Sequence, residues 1–222
     1  SKPNHGAETN QSFRLCCGRY ANDYLREKGR YSSNHKLGMM NALKEWATVV
    51  NALENGKQTV ILRKGGILET ASGFKVESKK FLLFPTWEHQ EEKHVKPEFQ
   101  NFLNDALKNK PKEGFNRITS FVEVLDEKDI ESKETVNALS PFHVWSDAYI
   151  EERINWMPEK PIKAVFLRTY KIPEMDIPLQ SDFQGCKSWV EINSNFDSGQ
   201  PVLNDLEIES ELQKFRGVVN EV

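Results

Sequence analysis

The chain has 222 residues, 38% hydrophobic and 28% charged, with five Trp and thirteen Phe. That length and apolar content are enough for one packed domain and exclude an extended, disordered class of protein. The longest apolar run falls far short of the roughly 20 residues that span a bilayer. No basic-then-apolar signal pattern opens the sequence, so a cytoplasmic protein with no membrane partner is the expectation. A formal net charge of −3 provides no global attraction for nucleic acid, so any such binding rests on a local patch.

Residues 1–39 are polar and lack an amphipathic period. They hold seven Lys and Arg against three Asp and Glu, a formal +4 against −7 for the remainder. The scattered cations suit a leader or expression-derived segment better than a nucleic-acid arm, which puts a single α+β domain at residues 40–222. From Ala42 onward, Leu43, Trp46, Val49, Val50 and Leu53 recur at helical spacing, and Gly56 stops the run. "QTVILR" then reads as a short buried strand. Gly65-Gly66 make a turn, and "ILETASGFKVE" reads as two strand pieces around Ser72-Gly73. "KKFLLFPT" is a further strand, and residues 97–109 form an amphipathic helix opened by Pro97.

In the second half, "RITSFVEVLD", "KAVFLRTYKI" and "GCKSWVEI" read as strands. A helix spans 146–155 with Ser146 as its N-cap. A last helix starts near Asp205, where Asn204 and Glu207 match a capping box and Leu206, Ile208, Leu212 and Phe215 supply the apolar residues. Strands and helices mix without steady βα alternation. The expectation is an α+β fold with a curved mixed or mostly antiparallel sheet and flanking helices.

Three cysteines, Cys16, Cys17 and Cys186, make a poor disulfide framework and lack zinc-site spacing, so reduced thiols are expected. The five histidines include no ligand pair, and no metal or cofactor is assigned.

Five constellations could carry chemistry. In "RKGG", Arg63 and Lys64 with Gly65 and Gly66 could hold an anion, or form a glycine turn with solvated cations. In "FPTWEHQ", the polar Thr86, Glu88, His89 and Gln90 follow a buried strand; His89 could act as acid or base, or cap the next segment. In "HVWSDAYIEERINW", His143, Trp145, Arg153 and Trp156 could stack a base and grip a phosphate, or lie in the core. Arg168 and Tyr170 share one strand face, opposite Leu167 and Thr169, and an arginine there must find an anion or a carboxylate. Finally, Glu69, Glu77 and Lys79 fit the pattern of a PD-(D/E)xK nuclease that holds Mg²⁺ on two carboxylates. The same [DE]-x-K spacing recurs at Glu91–Lys93, Asp126–Lys128 and Glu131–Lys133.

The blocks "ALKEWATVVNALENGKQTVILRKGGILE", "FLLFPTWEHQ", "HVWSDAYIEERINWMPEKP", "LRTYKI" and "CKSWVEI" together resemble the bacterial family known as domain of unknown function 1802, over roughly residues 41–217. The resemblance implies an association with Mrr-type restriction endonuclease domains, hence a restriction-modification or defence setting and a restriction endonuclease subunit as a partner. Its signature positions here are Arg63, Lys64, Gly65, Gly66, Phe84, Pro85, Thr86, His89, Gln90, His143, Trp145, Arg153, Trp156, Arg168 and Trp189. "GKQTVILR" is also similar to the G-x-K-x-x-E-x-R signature of the ASCH group of PUA-like barrels, which bind RNA or modified bases. Gly56 and Arg63 match, whereas Gln58 and Ile61 replace the lysine and glutamate. This likeness implies a PUA-like partial barrel.

The leading expectation is a nucleic-acid or nucleotide recognition domain, with DNA or RNA as partner. In it Arg63, Lys64 and Arg168 contact phosphate, and Trp145, Trp156 and His89 meet a base. The alternatives are the Mg²⁺-dependent nuclease of Glu69, Glu77 and Lys79, and a protein-interaction module without catalysis.

Overall fold

The computed structural model describes residues 38–65, 73–194, 196 and 198–220. Gly66, Glu69, Cys16, Cys17 and nearly all of the 1–39 segment therefore lie outside the described residues.

Strand β1 (Met39–Trp46) runs without a loop into helix α1 (Ala47–Glu54). The helical period read from Ala42 holds for Val49, Val50 and Leu53 and fails for Leu43 and Trp46. The reason is burial on both faces. Ala42 and Leu43 are adjacent and both fully buried, so β1 lacks the apolar–polar alternation that marks a half-exposed strand. Strand β2 (Val60–Arg63) and β3 (Lys80–Thr86) follow as the sequence indicates, but Gly73–Ser78 form no strand. Helix α2 (Gln100–Lys108) continues a single 3₁₀ turn at Pro97–Phe99.

The next strands are longer than their apolar segments. Strand β4 (Phe115–Ile130) and β5 (Ile162–Pro178) pair along most of their length. Between them lie α3 (Lys133–Ala138) and α4 (Asp147–Asn155), and α3 has no counterpart in the sequence reading. The Ser146 hydroxyl accepts from Tyr149 N at 3.3 Å, as an N-cap does. Strands β6 (Trp189–Asn193) and β7 (Gln200–Pro201) precede helix α5 (Asp205–Asn220). The capping box at its start is complete. Asn204 N donates to Glu207 Oε2 at 2.8 Å, and Glu207 N donates to Asn204 Oδ1 at 2.9 Å. Leu206, by contrast, faces solvent, while Ile208, Leu212 and Phe215 are buried.

The seven strands form one sheet in the order β2-β5-β4-β3-β1-β6, with β7 also on β5. Among the described residues only β1 and β3 pair in parallel; the other ladders are antiparallel. The fold is therefore α+β with a mixed, mostly antiparallel sheet and flanking helices. Alternation gives the sheet two cores. Leu43, Ile61, Phe81, Leu83 and Phe166 join α1 and α5 residues on one face, whereas Ala42, Leu82, Phe121, Phe183 and Val190 pack on the other. Register shifts in β4 at Ile118/Ser120 and Val124/Asp126 let the long strand bend. The sheet curls until side chains from β2, at one edge, reach β1 and the residue before β6, at the other.

Candidate functional site

Arg63 makes that crossing. Its Nη1 donates to the Lys44 carbonyl at 3.1 Å and lies 3.3 Å from Glu45 Oε2, and its Nη2 donates to Ser188 Oγ at 2.9 Å. The Phe74 ring sits 5.1 Å from the guanidinium. Glu45 is 5% exposed and Arg63 19%, so this is an ion pair largely out of water. Glu45 Oε1 also accepts from Trp46 N at 2.9 Å, which completes the carboxylate's bonding. Arg63 thus clasps the two edges of the sheet.

The "FPTWEHQ" segment supports the same corner. Gln90 Oε1 accepts from Thr48 N at 2.9 Å and from Thr48 Oγ1 at 2.6 Å, which caps the start of α1 from 42 residues away. Gln90 Nε2 donates to the Thr86 carbonyl at 3.0 Å, and Thr86 Oγ1 donates to the Glu45 carbonyl at 3.2 Å. His89 is exposed at the turn, with a left-handed φ of 60°.

Lys64 is adjacent in sequence and serves a different element. It is 3% exposed, and its Nζ donates to the carbonyls of Arg153 at 3.1 Å and Ile154 at 2.8 Å. Those are orphan carbonyls at the end of α4, where a cation also meets the negative end of the helix dipole. Burial, and then the charge of Arg153, hold the Lys64 amine below its usual range. Gly65 follows with a φ of 85°, a left-handed turn that glycine adopts without steric cost.

Lys64 also lines a cleft of about 360 Å³. Its apolar lining residues are Ile130, Val136, Ile154 and Ile162 with Pro158 and Pro161. The charged lining is Lys64, Lys133 and Lys160 with Glu131 and Glu159. Met157, at a φ of 49°, turns the chain back after α4, and Lys160 N donates to its carbonyl at 3.0 Å. This turn returns Glu159 and Lys160 to the cleft. Just before that turn the Arg153 guanidinium lies 5.0 Å from the Trp156 ring, and Arg153 is half-buried. Of the sequence-derived binding candidates, Lys64 lines the cleft, Arg153 meets Lys64 through its backbone carbonyl, and Trp156 packs against Arg153.

Other candidates fall elsewhere. Trp145 is 1% exposed and stacks on Tyr149 at 5.2 Å, so it belongs to the core and does not face a ligand. His143 is equally buried, and neither ring nitrogen has a partner among the described residues. Burial, aided by the Lys96 charge, pulls its pKa down to about 3, so the ring is neutral. Arg168 does find a carboxylate: its Nη2 pairs with Asp205 at the start of α5, and the guanidinium lies 5.3 Å from the Tyr170 ring. The Tyr170 hydroxyl donates to Glu123 Oε2 at 2.9 Å. Burial and that bond push its pKa up. Lys79 is exposed, and its Nζ donates to Glu127 at 3.0 Å. Among the described residues, no group of three or more His, Cys, Asp or Glu converges to hold a metal ion. No described helix is long and apolar enough to cross a membrane.

Sequence reasoning missed the partners of the candidates it named. Glu45 and Ser188 carry no signal, because their role depends on the curl of the sheet. Lys133 stands in a [DE]-x-K repeat, and Glu159-Lys160 stands between Pro158 and Pro161, a bracket that marks a turn.

No curated protein matches the chain. The crystal structure of ASCH from Zymomonas mobilis is similar at 14% identity and a TM-score of 0.42, over 78% of this chain and 93% of that one. A serine-to-alanine mutant of the same protein gives 15% and 0.38, over 78% and 94%. Residues 42–214 match the domain of unknown function DUF1802. With most of its length inside that match, the chain belongs to the DUF1802 family.

Proposed function

We propose that this domain recognises nucleic acid or a nucleotide through the cleft at the end of α4. The observation that carries the reading is the lining of that cleft, where Lys64, Lys133 and Lys160 stand among apolar residues, with the Arg153–Trp156 pair on the adjoining end of α4. Lysines supply point charges for phosphate, and an indole beside a guanidinium offers a face on which any base stacks. Arg63 and Arg168, whose carboxylate partners lie within the protein, act in the fold. The restriction or defence setting, with an endonuclease subunit as partner, belongs to this reading through the family resemblance, and a cytoplasmic location goes with it from the sequence composition. For the Mg²⁺ nuclease alternative, the exposed Lys79 paired with Glu127 offers no support.

The test is anisotropy of labelled single-stranded DNA and RNA across a salt series, with the wild-type chain and a Lys133→Ala/Lys160→Ala variant. Binding is expected to weaken with salt, and the variant is expected to lower the slope by about 0.7 for each phosphate it leaves without a cation. Absence of binding to any nucleic acid or nucleotide, or binding indifferent to the variant, overturns the reading.

A further inference from the structure

The cleft carries charges of both signs, and this restricts its ligand. A continuous phosphodiester chain passing through it would bring phosphates against Glu131 and Glu159 as well as the lysines. A single nucleotide reduces the conflict, because it brings one phosphate for a lysine and a base edge for a neighbouring carboxylate. The volume of about 360 Å³ lies at the small end of ligand sites, which suits one such unit.

An ionised carboxylate only accepts hydrogen bonds and therefore selects a base edge rich in N–H donors. Guanine presents two adjacent donors, its ring N–H and its amino group, in the parallel arrangement that a carboxylate accepts in bidentate fashion. Adenine and cytosine offer an amino group beside an acceptor. Uracil offers one ring N–H between two carbonyls, which repel a carboxylate.

We infer that the cleft takes a single guanine nucleotide, with its phosphate on the lysines and its base edge on Glu131 or Glu159. The inference rests on the nucleotide reading of the same cleft and adds the base to it. Glu131 and Glu159 are then specificity residues, and the lysines bind all nucleotides alike.

The experiment is calorimetric titration of the full chain with GMP, AMP, CMP, UMP and inorganic phosphate at one salt concentration, repeated with Glu131→Gln, Glu159→Gln and Lys160→Ala. GMP is expected to bind about tenfold or more tighter than UMP. One of the two Glu→Gln variants should cut that ratio to below about threefold without weakening UMP, and Lys160→Ala should weaken all four nucleotides by a similar factor. Equal affinity for the four nucleotides overturns the guanine inference and leaves nucleotide recognition standing. A preference for GMP that both Glu→Gln variants retain also overturns it. Failure of every nucleotide to bind overturns the inference, and the oligonucleotide titration above then decides separately on the wider reading. Circular dichroism of each variant separates lost binding from lost fold.

Discussion

Arg63 and Lys64 are adjacent, both cationic and both largely out of water, yet they hold different regions. Arg63 closes the curled sheet onto Glu45, Lys44 and Ser188, and its charge is matched by a buried carboxylate. Lys64 ties down the end of α4, where its amine meets two carbonyls, and lines an open cleft. A cation with an internal carboxylate is part of the scaffold. A cation bonded to carbonyls beside a cleft adds net positive charge to that cleft without a bonded carboxylate to offset it. Two neighbouring residues of one motif can thus divide stability and recognition between them.

The largest effect that sharpens this contrast is expected from Arg63→Ala. Removing the guanidinium leaves Glu45 buried without its cation, a change that costs roughly 3–5 kcal/mol. Urea unfolding should show it, and adding Glu45→Gln should recover part of the loss. Wild-type stability in the single variant would break the claim that Arg63 is scaffold.

Acid comes next, because His143 lies just ahead of the helix that forms the cleft. Its folded pKa of about 3 lies below the unfolded value of about 6.5, so the unfolded chain takes up the proton first as pH falls. Stability from this group is complete above about pH 6.5 and is lost progressively toward pH 3, at most on the order of 5 kcal/mol. His143→Phe should flatten that acid limb in urea melts taken from pH 7 to pH 4. An unchanged limb would contradict the role given to His143.

Lys64→Met comes third. It removes two charged hydrogen bonds to carbonyls at a cost of about 1–3 kcal/mol, smaller than for Arg63 because no buried counter-charge is stranded. Hydrogen exchange should locate the loss at the last turn of α4. Gln90→Ala is expected to cost least, about 1 kcal/mol, through loss of the distant cap on Thr48. Its thermal midpoint should fall without any change in nucleotide binding.

Local features are more legible in the sequence than global ones. Ser146, the Asn204–Glu207 capping box and the short β2 strand can be read directly because caps and β-branched runs act over a few residues. Strand β1 cannot, because a strand buried on both faces imitates a helix segment. The sequence shows that Arg168 needs an anion, but only the fold identifies that anion as Asp205, 37 residues away. The site divides in the same way. Lys64, Arg153 and Trp156 are visible as residue types suited to an anion and a base. Lys133, Lys160 and the two glutamates join them only through a turn at Met157 and a short helix that periodicity does not show.

The division between scaffold and cleft is tested most directly by mapping backbone amide shifts as a mononucleotide is added to the isotopically labelled chain. Changes concentrated at Lys64, Lys133 and Trp156–Lys160 are the predicted result. Changes concentrated at Lys44, Trp46 and Ser188 would show that the Arg63 corner is the binding site, and would contradict it.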